Sequence, residues 1–271
     1  MKRLLVPVLL LFLLLAGGST SSRFTDSAQI GPNTFTAAAG FPIQTQPLSA
    51  LKVGSRLVDR NLTWEYNYID GKVTKPIVWI LVAMDHYSYV NEEHTGVGVM
   101  LLAEEIVKTD LFGDNRWEDS AARNWFNNDF YESFPDEFRN AVIETLLPNR
   151  DVDDSTYTTI DNVFCLSMTE LGFSPLAFPS IGRRLEYFLT GVPNKRKAAF
   201  GVQGYIAYWT RTLEPKDVKL WLVTADGLAT SRSGTLEFGY RPALNLKGDT
   251  PVTVEPGPGG IYEILWPENP R

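Results

Sequence analysis

The sequence predicts an α+β fold in which β-segments from both ends of the chain share one mixed, mostly antiparallel sheet around two central helices. Three observations predict it. Runs rich in β-branched and aromatic residues fill 56–103 and return at 205–246. Between them lie two apolar stripes at helical spacing. The composition is 44% hydrophobic with seven tryptophans, so the chain carries enough apolar surface to build a core.

The elements follow in order. Lys2 and Arg3 precede an apolar run from Leu4 to Ala16, then small residues at Gly17, Gly18, Ser19, Ser21 and Ser22, the pattern of a secretory signal peptide over 1–22. The run is shorter than the roughly 20 apolar residues of a spanning helix, so no membrane association is expected once it is removed. Residues 23–45 are polar, small and broken by Gly31-Pro32, an extended segment that cannot form a core by itself. A folded domain is expected over 46–250 and a tail, with room for one added strand, over 251–271.

Inside the domain, Arg56–Val58, Thr63–Ile69 and Ile77–Met84 read as strands, with Asp70-Gly71 as the hairpin turn. Ile77–Val82 is apolar without alternation, which suits a strand covered on both faces. Val97–Ala103 is a fourth strand. In the first helix, Ala122, Trp125, Phe126 and Phe130 form one stripe, and Asp119 or Ser120 caps its start. The second helix is announced by Ser133 and Pro135, carries Phe138, Ala141, Val142 and Thr145 on one face, and is stopped by Pro148. Ser133 with Asp136, and Ser167 with Glu170, have capping-box spacing. Asn162–Leu166 is a short strand leading into the second of these turns, which Gly172 closes. A short helix is expected near Arg183–Phe188, and strands at Tyr205–Thr210, Lys219–Thr224 and Gly239–Leu246, with a turn at Asp226-Gly227.

The formal net charge is −7, and removal of a leader holding Lys2 and Arg3 makes the balance more acidic. Nucleic acid is therefore not an expected partner, since phosphate binding draws on clustered Lys and Arg. The short run Lys195-Arg196-Lys197 reads as a solvated face. Cys165 is the single cysteine, so the fold holds without an intramolecular disulfide. Its apolar neighbours in Val163-Phe164-Cys165-Leu166 place it in the core, where a thiol behaves as a small hydrophobe.

Candidate chemistry is sparse. Asp151, Asp153 and Asp154 begin like a calcium loop, but Thr156 stands where the required glycine belongs, so an acidic solvated loop is expected. His86 and His94, the latter beside Glu92-Glu93, lack the spacing of a zinc pair on one helix. No nucleophile elbow, phosphate-cradling loop or dinucleotide fingerprint occurs, and no metal or cofactor is expected.

Two resemblances add to this reading. Gly17-Gly18-Ser19-Thr20, Phe24-Thr25-Asp26 and Asn33-Thr34-Phe35-Thr36-Ala37 resemble the leader and mature start of bacterial biofilm-matrix fibre and camelysin-type proteins. That likeness implies cleavage in the region of Ser22, Arg23 and Phe24, secretion, and an N-terminal segment, 23–40, able to serve a neighbour as a donated strand. The blocks Trp117-x-x-Ser120-x-x-Arg123-x-Trp125-Phe126-Asn127-x-x-Phe130, Asn162–Ser167-x-x-Glu170, Tyr208-Trp209-x-Arg211 and Gly239-x-Arg241-Pro242-Ala243-Leu244 resemble a bacterial family of domains of unknown function.

The order of those blocks is also similar to the C-type-lectin-like fold in the version used by formylglycine-generating enzymes, with Leu166–Glu170 as the strand-to-helix turn and Gly239–Arg241 in the closing strand. Likeness of fold does not carry chemistry. Those enzymes need paired cysteines and copper, which one cysteine cannot supply. The calcium loop of the lectins is matched only by Glu214-Pro215-Lys216, with lysine in place of an oxygen ligand.

Arg123, Asn127, Arg211 and Arg241 are polar residues inside the family blocks. Either they converge on a binding groove lined by Trp117 and Trp209, or their side chains tie loops to backbone carbonyls in a fold without disulfides. Guanidiniums beside aromatic anchors favour the second. The expected function is a secreted, non-catalytic binding or adhesion module at the cell surface or in extracellular matrix, with a glycan, cell-wall component or matrix protein as partner. The alternatives are a fibre accessory assembling through its N-terminal strand and an extracellular carbohydrate-active hydrolase.

Overall fold

The computed structural model describes residues 29–30, 33–34, 43–68, 71–90, 96–114, 116–174, 181–214 and 218–266. Ser22, Arg23, Phe24, His94 and Lys216 lie outside them. The chain forms two units, Met1–Ile43 and Gln44–Arg271. In the first, β1 (Gln29–Ile30) pairs antiparallel with β2 (Asn33–Thr34).

The second unit runs through β3 (Thr45–Pro47), β4 (Arg56–Tyr68), β5 (Gly71–Met84), β6 (Gly98–Ala103) and β7 (Lys108–Leu111) to α1 (Ala121–Trp125) and α2 (Asp136–Ala141). It continues through β8 (Thr145–Arg150), β9 (Thr156–Asp161), β10 (Val163–Phe164), β11 (Tyr208–Glu214), β12 (Lys219–Val223) and β13 (Ala229–Arg232). β14 (Glu237–Tyr240), β15 (Ala243–Lys247), β16 (Pro251–Thr253) and β17 (Ile261–Glu263) complete it. The fold is mixed and mostly β, with antiparallel pairing dominant.

Early and late strands do share a sheet, in the order β10-β15-β6-β5-β4-β17. Its joint is β15 against β6, where Ala243 faces Leu102 and Leu246 faces Val99. β5 is central, and Trp79, Leu81 and Val82 on it are fully buried, as an apolar run without alternation requires. The expected single sheet is corrected in one respect. A second sheet, β13-β12-β11-β14-β7, collects the late strands β11 to β14. The predicted strand Gly239–Leu246 is therefore two strands, because Arg241-Pro242 carries the chain from one sheet to the other. Pro242 has no N–H for a ladder, and its carbonyl accepts from the Ala103 N–H at 2.8 Å.

The helical region is likewise part confirmation and part correction. The Ser120 hydroxyl accepts from the Arg123 N–H at the start of α1, and Ala122, Trp125, Phe126 and Phe130 are buried as one stripe. The helix widens to π geometry over Phe126–Phe130. The second helix stops at Ala141, and the residues from Thr145 onward form β8, with Pro148 in the strand. The Leu146 N–H of β8 points away from β9, to the Ser88 carbonyl, and position 148 faces the same way by alternation, so the missing Pro148 donor costs no bond of the β8–β9 ladder. Ser133 does not cap α2; its hydroxyl donates to the Phe130 carbonyl at 2.6 Å and closes the preceding helix.

The stripe of the first helix bridges both sheets. Trp125 lies 5.6 Å from Trp64 on β4 and 5.4 Å from Tyr240 on β14. Phe138 of α2 stacks on Trp79 of β5. The stretch expected as a tail supplies β16, paired with β3, and β17, which runs parallel to β4. Trp266 beyond it donates its indole N–H to Asp59 at 2.8 Å and packs on Phe138.

Candidate functional site

The family-block residues fall into three groups. Asp161 organises the first. Its carboxylate is fully buried and accepts from Trp117 Nε1 at 3.2 Å, Arg123 Nε at 2.6 Å and Asn127 Nδ2 at 3.1 Å, and from the Thr159 hydroxyl. Arg123 spends its remaining donors on the carbonyls of Glu118 and Ile160. Asn127 also takes the N–H groups of Asn162 and Val163 on its oxygen. This group fastens the first helix to the β9–β10 junction.

The second group is a fully buried ion pair. Glu170 bonds Arg211 through both carboxylate oxygens, and both side chains have no exposed surface. The capping box forms in full, with the Ser167 N–H on Glu170 Oε2 at 2.8 Å and the Glu170 N–H on the Ser167 hydroxyl at 3.2 Å. Arg211 also donates to the Cys165 carbonyl and the Tyr87 hydroxyl. His86 stands edge-on to Tyr87. Burial, aided by Arg183 and Arg211 and opposed by Glu170, holds its imidazole below the ordinary histidine value. Cys165 is buried, which drives its thiol far above the usual range and makes it inert.

In the third group, Arg241 donates to the carbonyls of Ala103 and Arg196 and to the Tyr208 hydroxyl. Trp209 Nε1 donates to the Asp110 carbonyl at 3.2 Å. Trp117 and Trp209 are each 1% exposed, so they do not line an open groove. Arg123, Asn127, Arg211 and Arg241, read either as converging on one groove or as ties within the fold, fall in three separate groups and donate to carbonyls and carboxylates within the fold, while Arg211 Nε is buried without a partner. Neither Asp161 nor Tyr87 is singled out by the sequence, because their partners lie far away in the chain and obey no spacing rule.

A surface cleft of about 600 Å³ nevertheless opens beside the first group, at the start of α1. Arg123 and Asn127 form its fixed floor. Its exposed rim carries Asp114, Glu118, Asp119, Asn124 and Asn128. The Asn128 amide donates to Asn124 Oδ1 at 2.8 Å, and both side chains are exposed. Among the described residues no group of three or more His, Cys, Asp or Glu side chains could hold a metal ion. The Asp151–Ser155 turn instead closes on itself, with Asp151 Oδ1 accepting from Val152 N–H and Asp153 Oδ1 from Ser155 N–H, while Asp151 pairs with Arg116.

No curated protein and no solved structure matches the chain at a significant level. One family model does, that of a domain of unknown function, DUF6273, over residues 97–248. The match covers more than half of the 271 residues and every tie of Asp161, Glu170 and Arg241 to a family-block residue. The chain therefore belongs to the DUF6273 family.

Proposed function

We propose that the protein is an exported bacterial module of C-type-lectin-like fold that binds a glycan or cell-wall polymer without turning it over, through the cleft at the start of α1. The observation that carries this reading is the division of labour in that cleft. Its floor is locked by Asp161, while its rim offers the exposed carboxamides of Asn124 and Asn128 beside the carboxylates of Asp114, Glu118 and Asp119. Vicinal sugar hydroxyls need such paired donors and acceptors on a rigid frame, since a pre-ordered site loses little entropy on binding. The buried carboxylates nearest the family blocks, Asp161 and Glu170, are committed to Arg123 and Arg211 and so hold structure instead of reacting groups.

The test is an array of glycans and cell-wall fragments probed with the wild type and with an Asn124→Ala/Asn128→Ala double variant. Wild-type binding weakened about tenfold or more in the variant, some 1.4 kcal/mol, supports the reading. Absence of binding, or equal binding by both, overturns it.

A further inference from the structure

We propose that His86 and Arg183 form an acid-released latch over the buried Glu170–Arg211 pair. The part that moves is short. Ile181 is fixed at both backbone groups, its N–H on Thr169 Oγ1 at 3.2 Å and its carbonyl on the Ser167 hydroxyl at 2.7 Å. Leu185 is fixed by its N–H on the Glu170 carbonyl at 3.1 Å. Between these anchors Gly182 lies against Glu170, where an added Cβ would stand 2.7 Å from Oε1. Gly182–Arg184 thus covers the carboxylate. Arg183 clasps this stretch to the turn after β5, donating through Nη2 to the carbonyls of Asp85 at 2.8 Å and His86 at 3.3 Å.

The trigger sits under that clasp. His86 is half-buried, its Nε2 is shielded from solvent without a hydrogen-bond partner, and its ring is 4.8 Å from that of Tyr87. The groups that act on it, besides its burial, are Glu170 from the turn after β10, Arg183 from the covering stretch, whose charge opposes a proton while its backbone hydrogen bond favours one, and Arg211 from β11. Glu170 already serves Arg211 with both oxygens. A proton on His86 therefore adds a third cation, with Arg183 and Arg211, around the Glu170 carboxylate. Arg211 cannot yield, being fully buried and locked to Glu170 and the Cys165 carbonyl. Arg183 is exposed and holds two carbonyls, so it swings into solvent.

The sign follows from linkage. A histidine held below its ordinary value, near 6.5, binds its proton more readily in the released form, so the latch is stable above that pH and weakens as pH falls through and below it.

The test is ¹⁵N relaxation of the full-length protein at pH 7.5 and 5.0. Wild-type order parameters at Gly182–Arg184 are expected near 0.85 at the higher pH and below about 0.6 at the lower, with Ile181 and Leu185 rigid at both. His86→Gln, neutral throughout, should stay ordered at pH 5.0, and Arg183→Gln should be mobile at both. Equal order at the two pH values in the wild type, or the same loss in His86→Gln, overturns the proposal.

Discussion

At the scale of single residues, burial decides what a charge is worth. Arg211 and Glu170 have left water entirely, and removing one partner strands the other. Arg211→Ala is expected to cost about 3–5 kcal/mol in urea unfolding. Lys72→Ala, which breaks an exposed pair with Glu65 at 2.6 Å, should leave the midpoint nearly unchanged. The sequence shows why Arg123, Arg211 and Arg241 draw notice, since each stands beside an aromatic anchor. It hides their partners. Trp117, Arg123 and Asn127 reach Asp161 across 44, 38 and 34 residues of chain, and no local rule registers such a contact.

At the scale of elements, local rules read well wherever local chemistry governs. Ser120 and the Ser167–Glu170 box act as their spacing requires. Ser120→Ala should cost about 1 kcal/mol, read from thermal melting, because the short α1 loses its cap. Local rules fail where the environment overrides pattern. Val142 and Thr145 continue the apolar face of α2, yet Val142 already bridges to Leu246 and Thr145 opens β8, so pairing with strands ends the helix. The Gly/Pro-rich C-terminus suggests a tail, yet β17 and Trp266 are held by β4 and Asp59. A chain ended at Val254 is expected to lose about 2 kcal/mol or more, because the buried Asp59 carboxylate loses a donor and Phe138 a ring contact; differential scanning calorimetry checks it.

At the scale of the whole molecule, one aromatic core joins both sheets and fixes how the chain responds to alkali. Burial raises Tyr66, Tyr89, Tyr208 and Tyr240 above the ordinary tyrosine value, with Glu105 adding to the effect on Tyr66, Asp85 on Tyr89 and Asp110 on Tyr240. The unfolded chain releases these protons first, so their contribution to stability is complete below about pH 10 and shrinks as pH rises beyond it. Ultraviolet titration should therefore show a tyrosine fraction that ionises only together with unfolding. Reversible ionisation of all eleven tyrosines in the native state would contradict it. The same interior explains the quiet chemistry of the family blocks: their polar groups tie the fold together where a single cysteine cannot make a cross-link, and the outward surface of α1 is where we propose that binding occurs.

That assignment is tested most directly by a hydrogen-exchange footprint of the full-length protein with and without muramidase-released cell-wall fragments. Slowed exchange confined to residues 118–128, absent in the Asn124→Ala/Asn128→Ala variant, is the expected result. Slowing at another surface, or none at saturating fragment, would contradict it.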